Sequence, residues 1–556
     1  MIQDLLKSCP RWLESKKAVF LCVFLVALGF AAYTDHVWED YYITYRASKN
    51  LATGKGLVYT EGQRVHSFTS PLGVLVPSAC SLTVWNSSDQ AALWLFRLIS
   101  IGLLGWSALW LLDLARSQKL SRGGMLLLFL LFAFDPKIVD FSINGMETAF
   151  VMFFLTYTLK VLMEEGERSY LKLGMGWAGL MWSRPDSCIY IALMGLAFLL
   201  FNPPGFVSRT RKEWVLMMFK AAGVTTCLYL PWFLWAWSYY GSPVPHTVTA
   251  KGLSEQPLFW GDYPFHFLFF PLKAVSQDVT FQLTFWPSYA ALGGWNGVIL
   301  EPFRILAGFC ALYWLFPLGR PFARALSFIF CGGHFYLSYF SPFCFAWYLP
   351  TLVVLGFLIL IQGLEQLMSL SRIFGGAGKP EGGEELLLRF AGWLSVGVVV
   401  IQLGSFVGTA IQMRAQQRIV EDGNRRRVGE YLRAESPAGA TVFLEPVGYI
   451  GYFSGLKMYD FPGLTSPEMI EARKQVFLDD WGAIIRKMEP TWVVLRPNQA
   501  EWIKGWHSGL LEGPYQLDRE FDVSGEIEQQ EFLPGRNYLL FDQKYLVFRR
   551  NPKMEL

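Results

Sequence analysis

The sequence predicts a polytopic α-helical membrane protein of about eleven transmembrane helices with a C-terminal extracytoplasmic α/β domain. The chain has 556 residues, of which 53% are hydrophobic and 17% charged, whereas soluble domains contain about 25% charged residues. The charge is also uneven, because residues 412–556 hold 40 of the 93 Asp, Glu, Lys and Arg residues. This composition divides the chain into a membrane domain, residues 1–411, and a soluble domain, residues 412–556.

The membrane domain contains eleven apolar runs near the length that a transmembrane helix needs, about 17–25 residues. Several runs are short, so their boundaries are approximate. The predicted crossings are 18–36, 91–114, 124–140, 147–164, 171–184, 186–202, 214–238, 302–318, 325–341, 344–364 and 388–411.

Charged residues beside these runs predict the orientation of the chain. Basic residues between 11 and 17 precede the first run, which places the N-terminus inside by the positive-inside rule. We interpret 71–85 as an interfacial or re-entrant segment, because a full crossing there would move the basic loop at 116–122 outside. Eleven crossings of the cytoplasmic (inner) membrane then leave the first loop, 37–70, and the soluble domain outside.

Net charge and cysteine usage narrow the class of protein further. The formal net charge is +3, which argues against nucleic acid as a partner. All eight cysteines precede residue 412, and no Cys-x-x-Cys or Cys/His spacing suggests a zinc site. The composition therefore excludes a soluble enzyme, a disordered chain and a disulfide-stapled secreted protein, and it leaves membrane lipid as a partner.

The first outside loop begins with an acidic pair, Glu39 and Asp40, where the first crossing meets water. Apolar residues recur every four positions after this pair, which predicts an amphipathic helix over 40–53 that ends at the glycines following it. Carboxylates in the first turn of a helix stabilise it through the helix dipole. A carboxylate at the membrane boundary can equally serve as a general base, and the residues alone favour neither interpretation.

Short sequence motifs are distributed along the chain from this loop into the soluble domain. They are the acidic pair, YRASKNLATGKGLVY, GQRV and TSPLG in the first loop, then NGMETA (144–149), WSRPD (182–186), GSPVPHTVTAK (241–251) and EPVGYIGYFSGLKMYDFPGL (445–464). Together they resemble the GT-C membrane glycosyltransferases, and more narrowly the bacterial group that contains the mycobacterial terminal arabinofuranosyltransferases. Two positions depart from the family's pattern: the acidic pair is usually two aspartates, and family members often have asparagine at the position of His246.

The resemblance implies a GT-C-like fold and an inverting glycosyltransferase. It implies transfer of a sugar, with arabinofuranose as the first expectation, from a polyprenyl-phosphate-linked donor to a cell-envelope glycan or glycolipid acceptor at the outer face of the membrane. Such a transfer needs a carboxylate base for the acceptor hydroxyl and positive charge where the leaving phosphate develops its own charge. By the resemblance, Asp40 is that base. The cofactor is unknown, with a divalent metal as one option.

Eight further residues near the outer face are candidates for binding the donor or the acceptor: Glu39, Arg64, His66, Glu147, Arg184, Asp186, His246 and Lys251. Each also has a structural interpretation. Arg184 and Asp186 flank a proline in an apolar run, where charge is costly and usually faces a cavity. They therefore predict either a phosphate site or an ion pair that closes a helix break. Lys251 offers a point charge for phosphate or is a solvated loop lysine.

Two other functions fit the same pattern less well. A transporter or flippase of lipid-linked sugars is expected to bury ionisable residues near the bilayer midplane and to show an internal repeat. The sequence instead gathers its charges at one face and shows no obvious repeat. A polysaccharide polymerase or ligase with a diphosphate-linked donor would use a site dominated by arginine. The charge pattern favours the glycosyltransferase.

The soluble domain is predicted to mix helices and strands. Residues 412–434 predict an amphipathic helix rising from the membrane, with the arginines at 425–427 on its solvated side. The runs 441–445, 491–497 and 538–550 predict strands, and 467–487 predicts a helix. No nucleotide loop or nucleophile motif is present. We therefore expect a domain that binds the acceptor or covers the site, or one that only supports the fold.

Overall fold

The computed structural model describes residues 11–164, 166, 168–202, 210–253, 260–273, 279–286, 295, 297–340, 344–374 and 382–554. These residues form a helical membrane body and a smaller domain built on a mixed sheet. The two parts meet at the first loop, 37–70, which contributes Ile43 and Tyr59 to a core of the sheet domain.

The first part of the membrane body consists of helices joined by short connections. They are α1 (Lys16–Thr34), α2 (Glu39–Ala52), α3 (Pro71–Thr83), α4 (Asp89–Ser117), α5 (Arg122–Ala133), α6 (Pro136–Ile143), α7 (Thr148–Leu162), α8 (Ser169–Ser183) and α9 (Ser187–Phe201). Several begin after a serine whose side chain accepts a backbone N–H three residues later, as at Ser15, Ser70 and Ser88. Such caps satisfy a free donor at the helix N-terminus and define where each helix starts.

The second part of the membrane body leads into the sheet domain. Its helices are α10 (Arg211–Tyr240), α11 (His246–Gly252), α12 (Tyr263–Lys273), α13 (Val279–Leu283), α14 (Gly297–Leu312), α15 (Pro321–Phe340), α16 (Pro350–Phe374) and α17 (Gly382–Ala415). α17 continues through a π-helical segment, Gln416–Arg425, into α18 (Arg426–Glu435). One continuous helical rod therefore joins the membrane body to the sheet domain.

Each of the eleven predicted crossings overlaps helix in the described residues, although not every one is a single helix. Within the described residues, five helices are long and apolar enough to cross a membrane: Lys16–Thr34, Asp89–Ser117, Arg211–Tyr240, Pro350–Ser369 and Phe390–Glu435. Four more apolar helices are shorter: Pro71–Thr83, Arg122–Ala133, Thr148–Leu162 and Ser187–Phe201. The chain is thus a multi-pass membrane protein, and the exact number of crossings stays a prediction.

Two predicted segments of the membrane body have an informative local structure. The predicted crossing 124–140 is not one helix, because α5 ends and α6 begins at Asp135 and Pro136. The Asp135 carboxylate accepts the N–H groups of Lys137 and Ile138 at 3.0 and 2.8 Å, so it caps a new helix. The segment 71–85 forms α3, whose 13 residues span about 20 Å. This is shorter than the roughly 30 Å hydrocarbon core.

The C-terminal domain is built on a five-stranded sheet with the order β2-β1-β3-β5-β4. Its elements are β1 (Thr441–Leu444), α19 (Gly448–Ser454), β2 (Lys457–Asp460), α20 (Pro467–Lys474), α21 (Trp481–Met488), β3 (Trp492–Leu495), α22 (Pro497–Trp506), β4 (Tyr515–Asp522), α23 (Ser524–Glu528), α24 (Arg536–Leu540) and β5 (Lys544–Arg550). β1 is parallel to β2 and β3, whereas β5 is antiparallel to β3 and β4. The predicted α/β character of this domain is confirmed.

Alternate residues of each strand bury against opposite faces of the sheet. Val442 and Leu444 pack with the first loop, α18 and α19, whereas Phe443 packs with α20, α21 and α22. This alternation follows from the two-residue period of a strand. The sheet therefore has helices on both faces, and one of those faces is turned to the membrane body.

Three predictions for this domain were wrong in detail. The predicted strand 538–550 begins with α24, and its strand is only Lys544–Arg550. The predicted helix 467–487 is two helices, because Asp480 caps α21 through the N–H groups of Gly482 and Ala483. Strands β2 and β4 were not predicted. β4 exposes most of its charged side chains, so it lacks the apolar alternation that marks a strand.

Candidate active site

The start of α2 is held at the junction between the membrane body and the sheet domain. The N–H of Trp38 donates to the carbonyl of Asn144 at 2.9 Å, and the N–H of Val37 donates to Oε1 of Gln417 at 2.9 Å. The Arg97 guanidinium, buried in α4, donates to the carbonyls of His36 and Ile143 at 2.7 and 2.9 Å. These bonds fix the backbone directly before the acidic pair.

Asp40 lies in the first turn of α2 among charged groups from three other segments. Burial raises the pKa of the Asp40 carboxyl, while Lys251 on α11 opposes that rise, as do a hydrogen bond with Glu39 and the charge of Arg425. Glu445 at the end of β1 adds to the rise. The structure therefore brings the predicted base and the predicted phosphate-binding lysine together.

An aromatic ring and the sheet domain both contact the region of Lys251. Its Nζ lies 5.2 Å from the centroid of the Phe345 ring. The helix that carries it is tied to the sheet domain, because Arg473 donates to the carbonyl of Ala250 at 3.0 Å and to that of Pro462 at 2.9 Å. A cation over an aromatic face keeps its N–H donors available for an anion.

Glu39 points toward the sheet domain. Its Oε1 accepts the backbone N–H of Gly448, the first residue of α19. Burial raises the pKa of the Glu39 carboxyl well above its ordinary value, and the lowering effect of Arg425 does not cancel it. The two adjacent carboxyls thus have different environments.

A buried network of charges lies behind the acidic pair. Arg425 pairs with Glu421 at 2.8 Å and with Asp542 at 2.5 Å, and Arg496 pairs with Asp542 at 2.7 Å and with Glu445. Desolvation alone would raise the pKa of Asp542, yet the two arginines lower it to about 2. Placing Arg425 on a solvated face was wrong, since the π-helical segment turns its side chain inward.

Sequence reasoning missed Arg425, Glu421, Asp542 and Arg496, and it assigned no role to Glu445 within the EPVGYIGY motif. Glu421 and Arg425 are four residues apart in a predicted helix, a spacing that allows an ion pair. No spacing connects them to Asp542 or Arg496, which are far away in the chain. The other available signal was the motif that starts at Glu445.

Arg184, Asp186 and Glu147 form a second charged group. The Arg184 guanidinium donates to both oxygens of Asp186 at 3.0 and 2.9 Å and to Glu147 at 3.0 Å. It also lies 4.6 Å from the centroid of the Tyr348 ring. The structure thus shows the ion pair that closes the break between α8 and α9, extended by a third residue from the start of α7.

A small cleft lies beside this charged group. It is lined by residues of α7, α9, α15 and α16, by Arg184 and Asp186, and by the aromatic turn at 347–348. Trp347 connects the cleft to the acidic pair, since its ring lies 5.5 Å from Trp38 and 4.4 Å from Phe345, the ring that Lys251 contacts. The cleft and the Asp40–Lys251 pair are therefore neighbours.

Arg64 and His66 lie at a different part of the first loop, where His66 contacts His246, the first residue of α11. The His66 ring stacks on Tyr240 at 4.6 Å, and the N–H of His246 donates to the His66 carbonyl at 2.9 Å. Arg64 lies 4.9 Å from the Tyr239 ring centroid. Burial and the neighbouring His246 lower the pKa of His66 to about 4. These contacts join the loop to the end of α10, and none of them involves Asp40.

The motifs singled out in the sequence meet around α2. Gly145 of NGMETA has φ +101°, and a Cβ there would lie 2.4 Å from the Tyr41 ring. Gly451 of EPVGYIGY would place a Cβ 2.0 Å from the Tyr59 hydroxyl. Within the described chain, no group of three or more His, Cys, Asp or Glu side chains is placed to hold a metal ion.

The C-terminal sheet domain and the whole chain each resemble known proteins. Residues 410–547 match a family model described as a domain of unknown function (DUF8728). The chain is also similar to the terminal beta-(1->2)-arabinofuranosyltransferase of Corynebacterium glutamicum, with 28% identity over 275 residues. That match covers 43% of this chain and 37% of the relative, so the chain spans well under two thirds of the relative's length.

Two solved structures share the fold at low sequence identity. The Archaeoglobus fulgidus oligosaccharyltransferase in its apo form has a TM-score of 0.53 and 12% identity, covering 92% of this chain and 74% of its own. ArnT from Cupriavidus metallidurans bound to undecaprenyl phosphate has a TM-score of 0.51 and 11% identity, covering 99% and 100%. The chain therefore has a GT-C-like membrane fold with a C-terminal sheet domain, and its resemblance to the terminal arabinofuranosyltransferases is confirmed.

Proposed function

We propose that this chain is an inverting glycosyltransferase that uses a polyprenyl-phosphate-linked sugar at the outer face of the cytoplasmic membrane, with Asp40 as its general base. One observation carries the proposal: in a chain with a GT-C-like fold, Lys251 lies near enough to Asp40 for its charge to lower the pKa of that carboxyl, close to a cleft of the membrane body. Arabinofuranose is the first sugar to test, because the curated relative is named for it. The acceptor is a cell-envelope glycan or glycolipid.

In the proposed reaction, Asp40 accepts a proton and Lys251 contacts the leaving phosphate. The acceptor hydroxyl loses its proton to the Asp40 carboxylate as its oxygen forms a bond to the anomeric carbon. The bond from that carbon to the phosphate oxygen breaks, and polyprenyl phosphate leaves from the opposite face, which inverts the centre. A base works best with a pKa near the working pH, and burial raises the pKa of Asp40 toward that range.

Lys251 is the proposed contact of the leaving phosphate. Its charge opposes the burial effect on Asp40, so it helps to keep the base ionised. It also supplies positive charge where the phosphate develops negative charge. Arg184 is a weaker candidate, because two carboxylates already neutralise its charge.

The cleft supports a donor whose lipid lies in the bilayer. Its walls come from apolar helices of the membrane body and include Val151, Met152, Tyr190 and Leu337. A lipid-linked donor has its phosphate at the membrane surface and its chain among such helices. The ArnT structure of the same fold is bound to undecaprenyl phosphate, which supports this class of donor for the chain.

The proposal is tested by a transfer assay in membranes with a radiolabelled polyprenyl-phosphate arabinofuranose donor. We expect Asp40→Asn and Asp40→Ala to lower kcat by about 100-fold or more, the typical contribution of a general base. Asp518→Asn is the matched control, because Asp518 is an exposed carboxylate of β4 whose described contact is with Tyr431. Full transfer by both Asp40 variants would show that Asp40 is not the base.

The same membranes distinguish the alternatives. A transporter or flippase would move labelled donor across the bilayer without forming a new glycosidic bond, and a polymerase or ligase would require a diphosphate-linked donor. Donors carrying a hexose or another pentose, offered beside arabinofuranose, test the sugar. We expect the arabinofuranose donor to give the highest kcat/KM.

A further inference from the structure

We propose that an apolar groove between α5, α14, α16 and α17 binds the acyl chains of one anionic phospholipid, whose phosphate lies on basic residues at one end of the groove. The site is separate from the cleft beside Arg184, because the two share no lining residue. The inference goes beyond the proposed function and does not depend on it.

The groove is lined almost entirely by hydrocarbon. It has a volume of about 240 Å³, and its lining consists of Leu, Ile, Val and Phe side chains together with Ser395. The Ser395 hydroxyl donates to the carbonyl of Ala391 at 2.8 Å, so its hydrogen bond is made within its own helix. A cavity lined in this way excludes water and accepts apolar ligands.

The groove opens on the surface of the membrane body that faces lipid. Two of its lining residues, Leu131 and Ile361, are buried, so they form the floor of the groove. Its rim consists of exposed apolar side chains, which are Ile305, Phe309, Leu367 and Leu394. A hydrocarbon chain can therefore enter from the bilayer without crossing the protein.

One end of the groove is polar, because two lining residues of α16, Leu364 and Leu367, flank a polar pair in the chain. The first of that pair, Glu365, accepts the N–H of Ser121 at 2.6 Å and lies 3.6 Å from the Arg320 guanidinium. The second, Gln366, accepts the backbone N–H of Arg320 at 3.0 Å. The starts of α5 and α15 therefore meet at this end of the groove.

Positive charge exceeds negative charge at the polar end. Lys119 and Arg122 lie on either side of Ser121 in the chain, and both are exposed. Arg122 pairs with Glu14 at 3.4 Å and Arg320 with Glu365 at 3.6 Å, which is longer than the 2.7–2.9 Å of a strong charge-assisted hydrogen bond. No ion pair joins Lys119 to a described residue.

This combination fits a phospholipid with a negatively charged head group. Basic residues between transmembrane helices at the cytoplasmic end bind the head groups of anionic lipids, and the sequence predicts that this end is cytoplasmic. The cleft beside Arg184 is lined by Thr351, and Glu365 lies 14 residues after Thr351 in α16, about 21 Å along the helix axis. A phosphate at Lys119 and Arg122 is therefore far from the cleft that the lipid-linked donor is proposed to use.

Native mass spectrometry of the full chain in detergent tests the proposal, with phosphatidylglycerol and phosphatidylcholine of identical acyl chains as the probes. We expect one phosphatidylglycerol to bind in preference to phosphatidylcholine. Lys119→Gln combined with Arg122→Gln should raise the Kd for phosphatidylglycerol about 25-fold, at about fivefold for each basic residue near an anionic lipid. Leu364→Trp, which fills the groove, should raise that Kd about tenfold or more.

Each variant has a matched control elsewhere on the membrane body. Lys212→Gln removes an exposed basic residue at the start of α10, and Leu216→Trp enlarges an exposed apolar residue of the same helix. Both controls should bind phosphatidylglycerol as the parent does. A ligand that binds the folded state raises the unfolding temperature, so phosphatidylglycerol should stabilise the parent and the controls more than it stabilises the groove variants.

Three results would overturn the proposal. Equal binding of the two phospholipids by the parent would show ordinary bilayer contact without recognition of charge. Displacement of phosphatidylglycerol by polyprenyl phosphate at equal concentration would assign the groove to the donor. An unchanged Kd in the variant of Lys119 and Arg122 would remove the head-group site, and because both side chains are exposed, this variant is expected to fold even where Leu364→Trp does not. None of these results depends on transfer activity, so the proposed function is tested separately.

Discussion

At the scale of single residues, the cations of the junction differ in how fully neighbouring carboxylates compensate their charge. Arg184 pairs with two carboxylates, and so does Arg425. Lys251 forms no ion pair of this kind with a described residue, and among the charges that act on Asp40 it has the largest effect. Compensated arginines hold elements together, whereas a lysine with free donors is available to a ligand.

Removing the Arg184 guanidinium should therefore lower the free energy of unfolding, because Arg184 pairs with two carboxylates. Arg184→Met leaves the buried Glu147 and the partly exposed Asp186 without their partner, and breaking a buried pair typically costs about 3–5 kcal/mol. We expect a clear drop in the thermal unfolding temperature in detergent. Arg64→Met is the control, because Arg64 is exposed and its described contact is one aromatic face, worth about 1 kcal/mol. Equal unfolding temperatures for both variants would contradict the structural role of Arg184.

The acid limb of the activity profile reports on Asp40. Burial raises the pKa of Asp40 and Lys251 lowers it, so Lys251→Met should raise it further. Since the base is active only when ionised, activity is lost as the pH falls through this pKa. The acid limb of kcat should therefore move to higher pH in Lys251→Met. Lys504→Met, an exposed lysine of α22, should leave the limb in place, and a shift to lower pH in Lys251→Met would contradict the assignment.

At the scale of elements, the sequence predicts best where local chemistry decides the structure. The helix expected over 40–53 is observed as Glu39–Ala52, because its apolar period and the glycines after it are local signals. β1 and β3 are short apolar runs and were also predicted. β4 was missed because it exposes its charges.

The candidate site was only partly predictable for a related reason. Asp40 and Lys251 were named from motifs, but their closeness depends on α11 being tied to the sheet domain through Arg473. Arg425 was misplaced because a π-helical turn changes which side of a helix a residue faces. Such information resides in tertiary contacts, which no short window of sequence contains.

The docking of α19 on the first loop gives an element-scale prediction. Gly451→Ala would place a Cβ 2.0 Å from the Tyr59 hydroxyl, and overpacking of this kind costs about 1–3 kcal/mol. We expect a lower unfolding temperature and lower transfer activity. Gly505→Ala is the matched control in a helix, since nothing lies within 4 Å of its Cβ, and alanine there should be neutral or slightly stabilising. Identical curves for the two variants would show that α19 tolerates separation from the loop.

At the scale of the whole molecule, the few charged residues at one end of the membrane body are in contact with the sheet domain. The rod from α17 to α18 and the first loop both enter the sheet domain. The sheet domain thus covers the acidic pair, and the contact is made by Gly448, which lies 409 residues after Glu39 in the chain. The orientation of the chain matters here, because the side of the membrane on which the sheet domain lies decides which sugar donors can reach the site.

The predicted orientation places this face outside, and single cysteines test it. Ser508→Cys lies in an exposed turn of the sheet domain, and Ser117→Cys lies in an exposed position at the end of α4, predicted inside. In right-side-out membrane vesicles, a membrane-impermeant maleimide should label Ser508→Cys at once and Ser117→Cys only after permeabilisation. The unsubstituted chain gives the background from native cysteines. The opposite pattern would place Asp40 in the cytoplasm, where nucleotide-sugars are available, and would remove the reason for a lipid-linked donor.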